Sequence, residues 1–120
     1  MHLVAVALIA LVALLHAYFL VLEMFLWTKP TGLRVFAQSA EKAEATKVLA
    51  QNQGLYNGFL SAGLVWSLVD GVHGYAAGLF FLGCVVVAGV FGAATVSKRI
   101  LFIQALPAAA AMGALVLSHL

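Results

Sequence analysis

Leu3-Val-Ala-Val-Ala-Leu-Ile-Ala-Leu-Val-Ala-Leu-Leu-His16-Ala-Tyr-Phe-Leu-Val-Leu-Glu23-Met-Phe-Leu-Trp27 is an apolar run broken chiefly by one imidazole and one carboxylate. About 20 predominantly apolar residues suffice for a helix to cross a bilayer, and this run is longer. Its composition extends to the whole chain: 65% of the 120 residues are hydrophobic and 8% are charged, against roughly 25% charge in soluble globular chains. Lipid is therefore the expected solvent for most of the surface.

Three more apolar stretches follow, and with the first they consume the chain. The expected fold is all-α, a four-helix transmembrane bundle in antiparallel up-down order. One polytopic domain covers residues 1–120, with spans at about 3–27, 49–70, 75–96 and 100–120. The segment 28–48 is expected to be a partly helical cytoplasmic loop. It opens on Lys29-Pro30-Thr31-Gly32, where Pro and Gly favour a turn, and Ser39 is placed to cap a helix whose first turn contains Glu41. No Lys or Arg precedes the first run and its apolarity continues to Trp27, so it reads as a retained helix rather than a cleaved signal.

All six basic residues lie at Lys29, Arg34, Lys42, Lys47, Lys98 and Arg99. Basic residues concentrate in cytoplasmic loops, which predicts both termini, Asp70 and His73 outside. A net charge of +2 dispersed over two loops gives no reason to expect nucleic-acid binding. The single cysteine, Cys84, excludes an internal disulfide, and no multi-cysteine metal site is available.

Intramembrane ionisable groups are costly and mark sites or pathways by default. At about 1.5 Å per residue, Glu23 falls roughly 6 Å inward from Trp27 and Gln104 roughly 7 Å inward from Arg99. Gln53 and Asn57, one turn apart, belong to the same cytoplasmic half. Glu23, Gln53, Asn57 and Gln104 are therefore expected to converge in a polar shaft that narrows at His16, which shares a helix face with Glu23 at spacing seven. Each has a plainer reading: Glu23 as an interfacial snorkel, the amides as interhelical glue. His2, Asp70, His73 and His119 read as solvated loop and terminal residues. No metal or other cofactor is expected, because zinc requires three or four close ligands.

Small residues at Gly54, Gly58 and Ala62, and at Gly78, Gly83, Gly89 and Gly92, suit close helix packing within one chain more than a dimer interface. The segment His16 to Trp27, the Pro30-x-Gly32 turn and above all Asn52-Gln-Gly-Leu-Tyr-Asn-Gly58 resemble the family of small bacterial integral membrane proteins called domain of unknown function 1304. That resemblance implies a four-helix inner-membrane protein and places His16, Glu23, Asn52, Gln53, Tyr56 and Asn57 within characteristic motifs. It implies no reaction, substrate or cofactor.

The functional expectation is an inward-opening polar pocket that binds or transports a small polar solute or proton, with the bilayer as its setting and a homodimer as the working unit. Glu23 would be the proton or cation site, His16 a relay or gate, and Gln53, Asn57 and Gln104 the groups that orient the ligand. Asn52 and Tyr56 support them. The alternatives are a membrane-embedded enzyme or redox partner acting on a lipid or quinone, and a structural subunit without a ligand. No nucleophile triad or phosphate loop can be assembled, which weighs against catalysis.

Overall fold

The computed structural model describes residues 1–120 and is entirely helical. Its elements are α1 (Leu3–Met24), α2 (Pro30–Val35), α3 (Ala40–Val69), α4 (Gly74–Thr95) and α5 (Leu106–Leu117), with a π-helical turn at Leu101–Ala105 immediately before α5. Two of them, α1 and α4, are long and apolar enough to cross a membrane.

Two compact units divide the chain, and α1 and α3 each contribute to both. The first contains Met1–Leu14 and Leu60–Leu120. Its core is a cluster of buried aliphatic residues from four helical segments: Ile9 and Val12 of α1, Leu64 of α3, Leu82 and Val85 of α4, and Ala108, Ala111 and Leu115 of α5. Neighbouring segments run antiparallel. Gly78 faces Leu115 and Gly89 faces Ala105, so α4 and α5 approach in opposite directions. At Gly89 the approach is close: a Cβ there would lie 2.7 Å from the Ala105 backbone nitrogen. The absence of a side chain is what lets the two backbones meet, and dispersion across the contact holds them. Ser61 Oγ donates to the Ala13 carbonyl at 2.9 Å, which satisfies a hydroxyl that would otherwise face hydrocarbon.

The π-helical turn has a local cause in Pro107. Proline carries no N–H and its ring collides with the carbonyl four residues earlier, here that of Ile103. The backbone widens instead, and Leu106 N–H donates to the Leu101 carbonyl five residues back. Gln104 is carried on this turn.

The second unit, Leu15–Phe59, comprises the end of α1, all of α2 and the first part of α3. After α1 the chain turns into α2 with Pro30 at its start, where a missing N–H goes unnoticed. Gly32 packs against the carbonyls of Leu26 and Trp27 with no room for a Cβ. α2 ends in a Schellman arrangement: Ala37 N–H donates to the Arg34 carbonyl at 3.3 Å and Gln38 N–H to that of Leu33 at 3.1 Å. The residue in the left-handed position is Ala37, at φ 49°, where glycine is usual. Ser39 then caps α3 by accepting the Lys42 N–H at 3.1 Å.

Candidate functional site

In the second unit the end of α1 and the start of α3 pair antiparallel. Trp27 Nε1 donates to Thr46 Oγ1 at 3.1 Å, and the Trp27 ring packs on Phe36 with centroids 4.7 Å apart. Thr46 passes the contact on by donating to the Lys42 carbonyl at 2.9 Å. Nearer the middle of the helices, Gly54 lies opposite Leu20, Glu23 and Met24, and Gly58 opposite Leu20. A Cβ at Gly54 would stand 2.6 Å from Met24 Cγ and 3.1 Å from Glu23 Cβ. These two glycines bring α3 close to α1, and that closeness lets a short amide reach a carboxylate.

Asn57 Nδ2 donates to Glu23 Oε1 at 2.5 Å. Asn57 is buried and Glu23 partly so. A hydrogen bond to a charged partner is stronger than one between neutral groups, and an amide also binds a neutral carboxylic acid, so the pair tolerates either protonation state of Glu23. His16 is fully buried, two turns along α1 from Glu23, with its ring edge-on to Phe19 at 5.3 Å between centroids.

Asn52, Gln53 and Tyr56 are exposed on α3, with the Tyr56 ring 6.1 Å from that of Phe59. Gln104 belongs to the first unit, where it is half-buried on the π-helical turn. No group of three or more His, Cys, Asp or Glu stands close enough to hold a metal ion.

A second polar constellation, in the first unit, exceeds what the sequence suggested for loop residues. The Asp70 carboxylate accepts four contacts: Oδ1 takes the N–H groups of His73 at 2.8 Å and Val72 at 2.9 Å, and Oδ2 takes Trp66 Nε1 at 3.0 Å and lies 3.1 Å from His73 Nδ1. The His73 amide and the Trp66 indole are the main causes that hold this carboxyl well below the usual carboxylate range. Further on, the Tyr75 and His119 rings stack at 3.7 Å and 20°. The stacking of His119 on the first turn of α4 carried no local signal in the sequence.

Comparison with known proteins places the chain. The family described as protein of unknown function (DUF1304) matches residues 10–116. The chain belongs to this family. The matched region of this DUF1304 protein includes His16, Glu23, Asn57, Asp70 and Gln104. The DUF1304 chain is also similar to the Uncharacterized protein YpaA of Lactococcus lactis subsp. lactis (strain IL1403), 30% identical over 106 residues covering 87% of this chain and 89% of that one. No solved structure matches it.

Proposed function

We propose that this DUF1304 protein is a multi-pass protein of the bacterial inner membrane, crossing it four times with both termini outside, and that its Glu23–Asn57 pair binds a proton or a small polar solute. The topology is supported by the two 22-residue apolar helices α1 and α4, and by α3, whose 30 residues reach about 45 Å. That length accommodates a span as well as a charged first portion. It is supported too by the confinement of Lys and Arg to residues 29–47 and 98–99, and by large exposed apolar side chains on α4, Phe80, Val87 and Phe91 among them.

The observation that carries the binding reading is the 2.5 Å bond from Asn57 to Glu23. An acid within a spanning helix is rare and ordinarily faces a partner; here a buried amide holds it in place while the side chain keeps some accessibility. His16, on the same face two turns deeper, is the relay or gate. Asn52, Gln53 and Tyr56 line the exposed side of α3 next to the pair, as the approach for a polar solute. Four spans are few for alternating access, so a homodimer is the working unit in this reading.

The test is reconstitution into liposomes loaded with a pH-sensitive dye. Wild-type protein is expected to carry a proton flux that falls at least tenfold in Glu23→Gln and in His16→Ala. Flux that persists unchanged in both variants would overturn the mechanism. If neither variant alters flux or solute binding while both melt earlier than wild type, the pair is structural.

A further inference from the structure

Trp27 ends the first apolar run and ties three segments of the second unit together: its indole N–H donates to Thr46 Oγ1 at 3.1 Å, and its ring lies 4.7 Å from that of Phe36. Three basic residues flank these contacts. Lys29 follows Trp27 by two residues, Arg34 precedes Phe36 by two, and Lys42 lies one turn before Thr46, whose hydroxyl donates to the Lys42 carbonyl at 2.9 Å. All three are exposed. The ion pairs of the chain, Lys47–Glu44 and His73–Asp70, leave them out. Residues 28–48 carry four basic side chains and two acids, Glu41 and Glu44, and Glu44 is already taken by Lys47 at 2.6 Å. The face is therefore net positive and has no internal partner for most of its charge.

Its position relative to the apolar surface is defined on both helices. Val48 and Leu49 of α3 are 70% and 74% exposed, and Phe25, directly after α1, is 64% exposed. In the membrane reading above, on which this inference rests, hydrocarbon begins at this level. At about 1.5 Å per residue, Lys42 stands roughly 9 Å beyond Val48, and the headgroup layer is about 5–7 Å deep on each side of the bilayer. A lysine side chain is long enough to bring its ammonium back into that layer. An indole belongs at the same level, which is where Trp27 lies. The guanidinium of Arg34 adds a planar fork that matches two phosphate oxygens at once.

The charge selects among lipids. A zwitterionic headgroup presents a cation beside its phosphate, and that cation is repelled by a face already carrying unpaired positive charge. An anionic headgroup presents the phosphate alone. We propose that the face formed by Lys29, Arg34 and Lys42 around Trp27 binds the headgroup of an anionic phospholipid such as phosphatidylglycerol.

The test uses Trp27 as the reporter. Full-length Trp66→Phe protein, in which Trp27 is the one indole left, is reconstituted into mixed vesicles of phosphatidylglycerol and phosphatidylcholine with bromine on the acyl chains of one lipid or the other. Brominated chains quench an indole they touch, so the paired series give the relative occupancy of the two lipids at Trp27. Phosphatidylglycerol is expected to be favoured at least fivefold, about the effect of one basic residue at an anionic surface. The preference should vanish when Lys29→Gln, Arg34→Gln and Lys42→Gln are combined, and in about 1 M salt, where charges are screened beyond roughly 3 Å. It should persist when Lys29→Arg, Arg34→Lys and Lys42→Arg are combined, which keeps every charge. Equal quenching by both lipids, or a preference that survives in the triple glutamine variant, would overturn the proposal and leave the membrane reading intact; no quenching by either lipid would overturn both. A preference erased by inorganic phosphate at constant ionic strength would assign the face to a soluble anion and likewise overturn the proposal.

Discussion

Asn57 and Glu23 stand 34 residues apart in sequence and are joined side chain to side chain, the amide nitrogen of one donating to the carboxylate of the other. The bond forms where Gly54 lets α3 press against Leu20, Glu23 and Met24 of α1. Packing and polar chemistry at this point are thus one feature: without the small residue the amide would stand farther from the acid.

A double-mutant cycle measures the pair. On the membrane reading proposed above, Asn57→Ala and Glu23→Gln, alone and together, are expected to show a coupling of about 0.6–1.7 kcal/mol, the span from average to maximum for intramembrane hydrogen bonds. Unfolding in mixed detergent micelles gives the four free energies, and additive single effects would mean that the bond contributes nothing to stability.

Glycines in this chain should respond to alanine with opposite signs. A Cβ at Gly89 would meet backbone atoms of Ala105 at 2.7 Å, and backbone cannot swing aside as a flexible side chain does; Gly89→Ala should destabilise by about 1–3 kcal/mol. At Gly113, inside α5, nothing lies within 4 Å of the added methyl. Gly113→Ala should stabilise by about 0.5–1 kcal/mol through helix propensity. Thermal melts of the two variants in one detergent would settle the signs.

Ala37 holds φ 49° to complete the cap of α2. A non-glycine residue loses roughly 1–2 kcal/mol in the left-handed region, and glycine returns part of that as unfolded-state entropy, about 0.4–1 kcal/mol. Ala37→Gly is therefore expected to raise the melting temperature by an amount worth up to about 1 kcal/mol, whereas Ala37→Val should lower it. A fall in both would show that the turn relaxes out of this conformation.

The depressed pKa of Asp70 has a directional consequence. Between its folded value and the ordinary value near 3.9, the unfolded chain binds the proton and the folded one does not, so stability rises with pH through that window. The contribution is complete above the ordinary carboxylate range and fades as the pH falls below it. Wild type should exceed Asp70→Asn in stability at neutral pH, and the gap should close on acidification below about pH 4; a gap independent of pH would rule out the charge as its origin.

Membrane topology is open to cysteine labelling. On the topology proposed above, in a Cys84→Ala background, Ser39→Cys and Ser97→Cys should react with an impermeant maleimide only from the cytoplasmic side, and Gly71→Cys only from outside. Labelling of Ser39→Cys and Gly71→Cys from the same side would refute an odd crossing between them.

The all-helical class of this chain was legible in one dimension. Long apolar runs such as Leu3 to Trp27 satisfy their backbone groups in lipid only as helices, and Ser39 announced the start of α3 through local hydrogen bonding. Family membership was readable in the same way, from the Asn52 to Gly58 motif. The site was only partly legible. Glu23 and Asn57 stood out as polar residues in apolar surroundings, but nothing local distinguished Asn57, which meets the acid, from Gln53, which lies exposed one turn away.

Composition and local spacing by themselves determined helices, caps, turns and the candidates for chemistry, because each of those depends on residues within a turn or two of one another. The tertiary structure alone decided which candidates touch. It selected Asn57 for Glu23 and stacked His119 on Tyr75 at the far end of the chain. The physical reason is rotational: adjacent residues on a helix are separated by about 100°, so contact depends on how two helices are turned and how closely they approach, and those quantities are set by packing across distant segments.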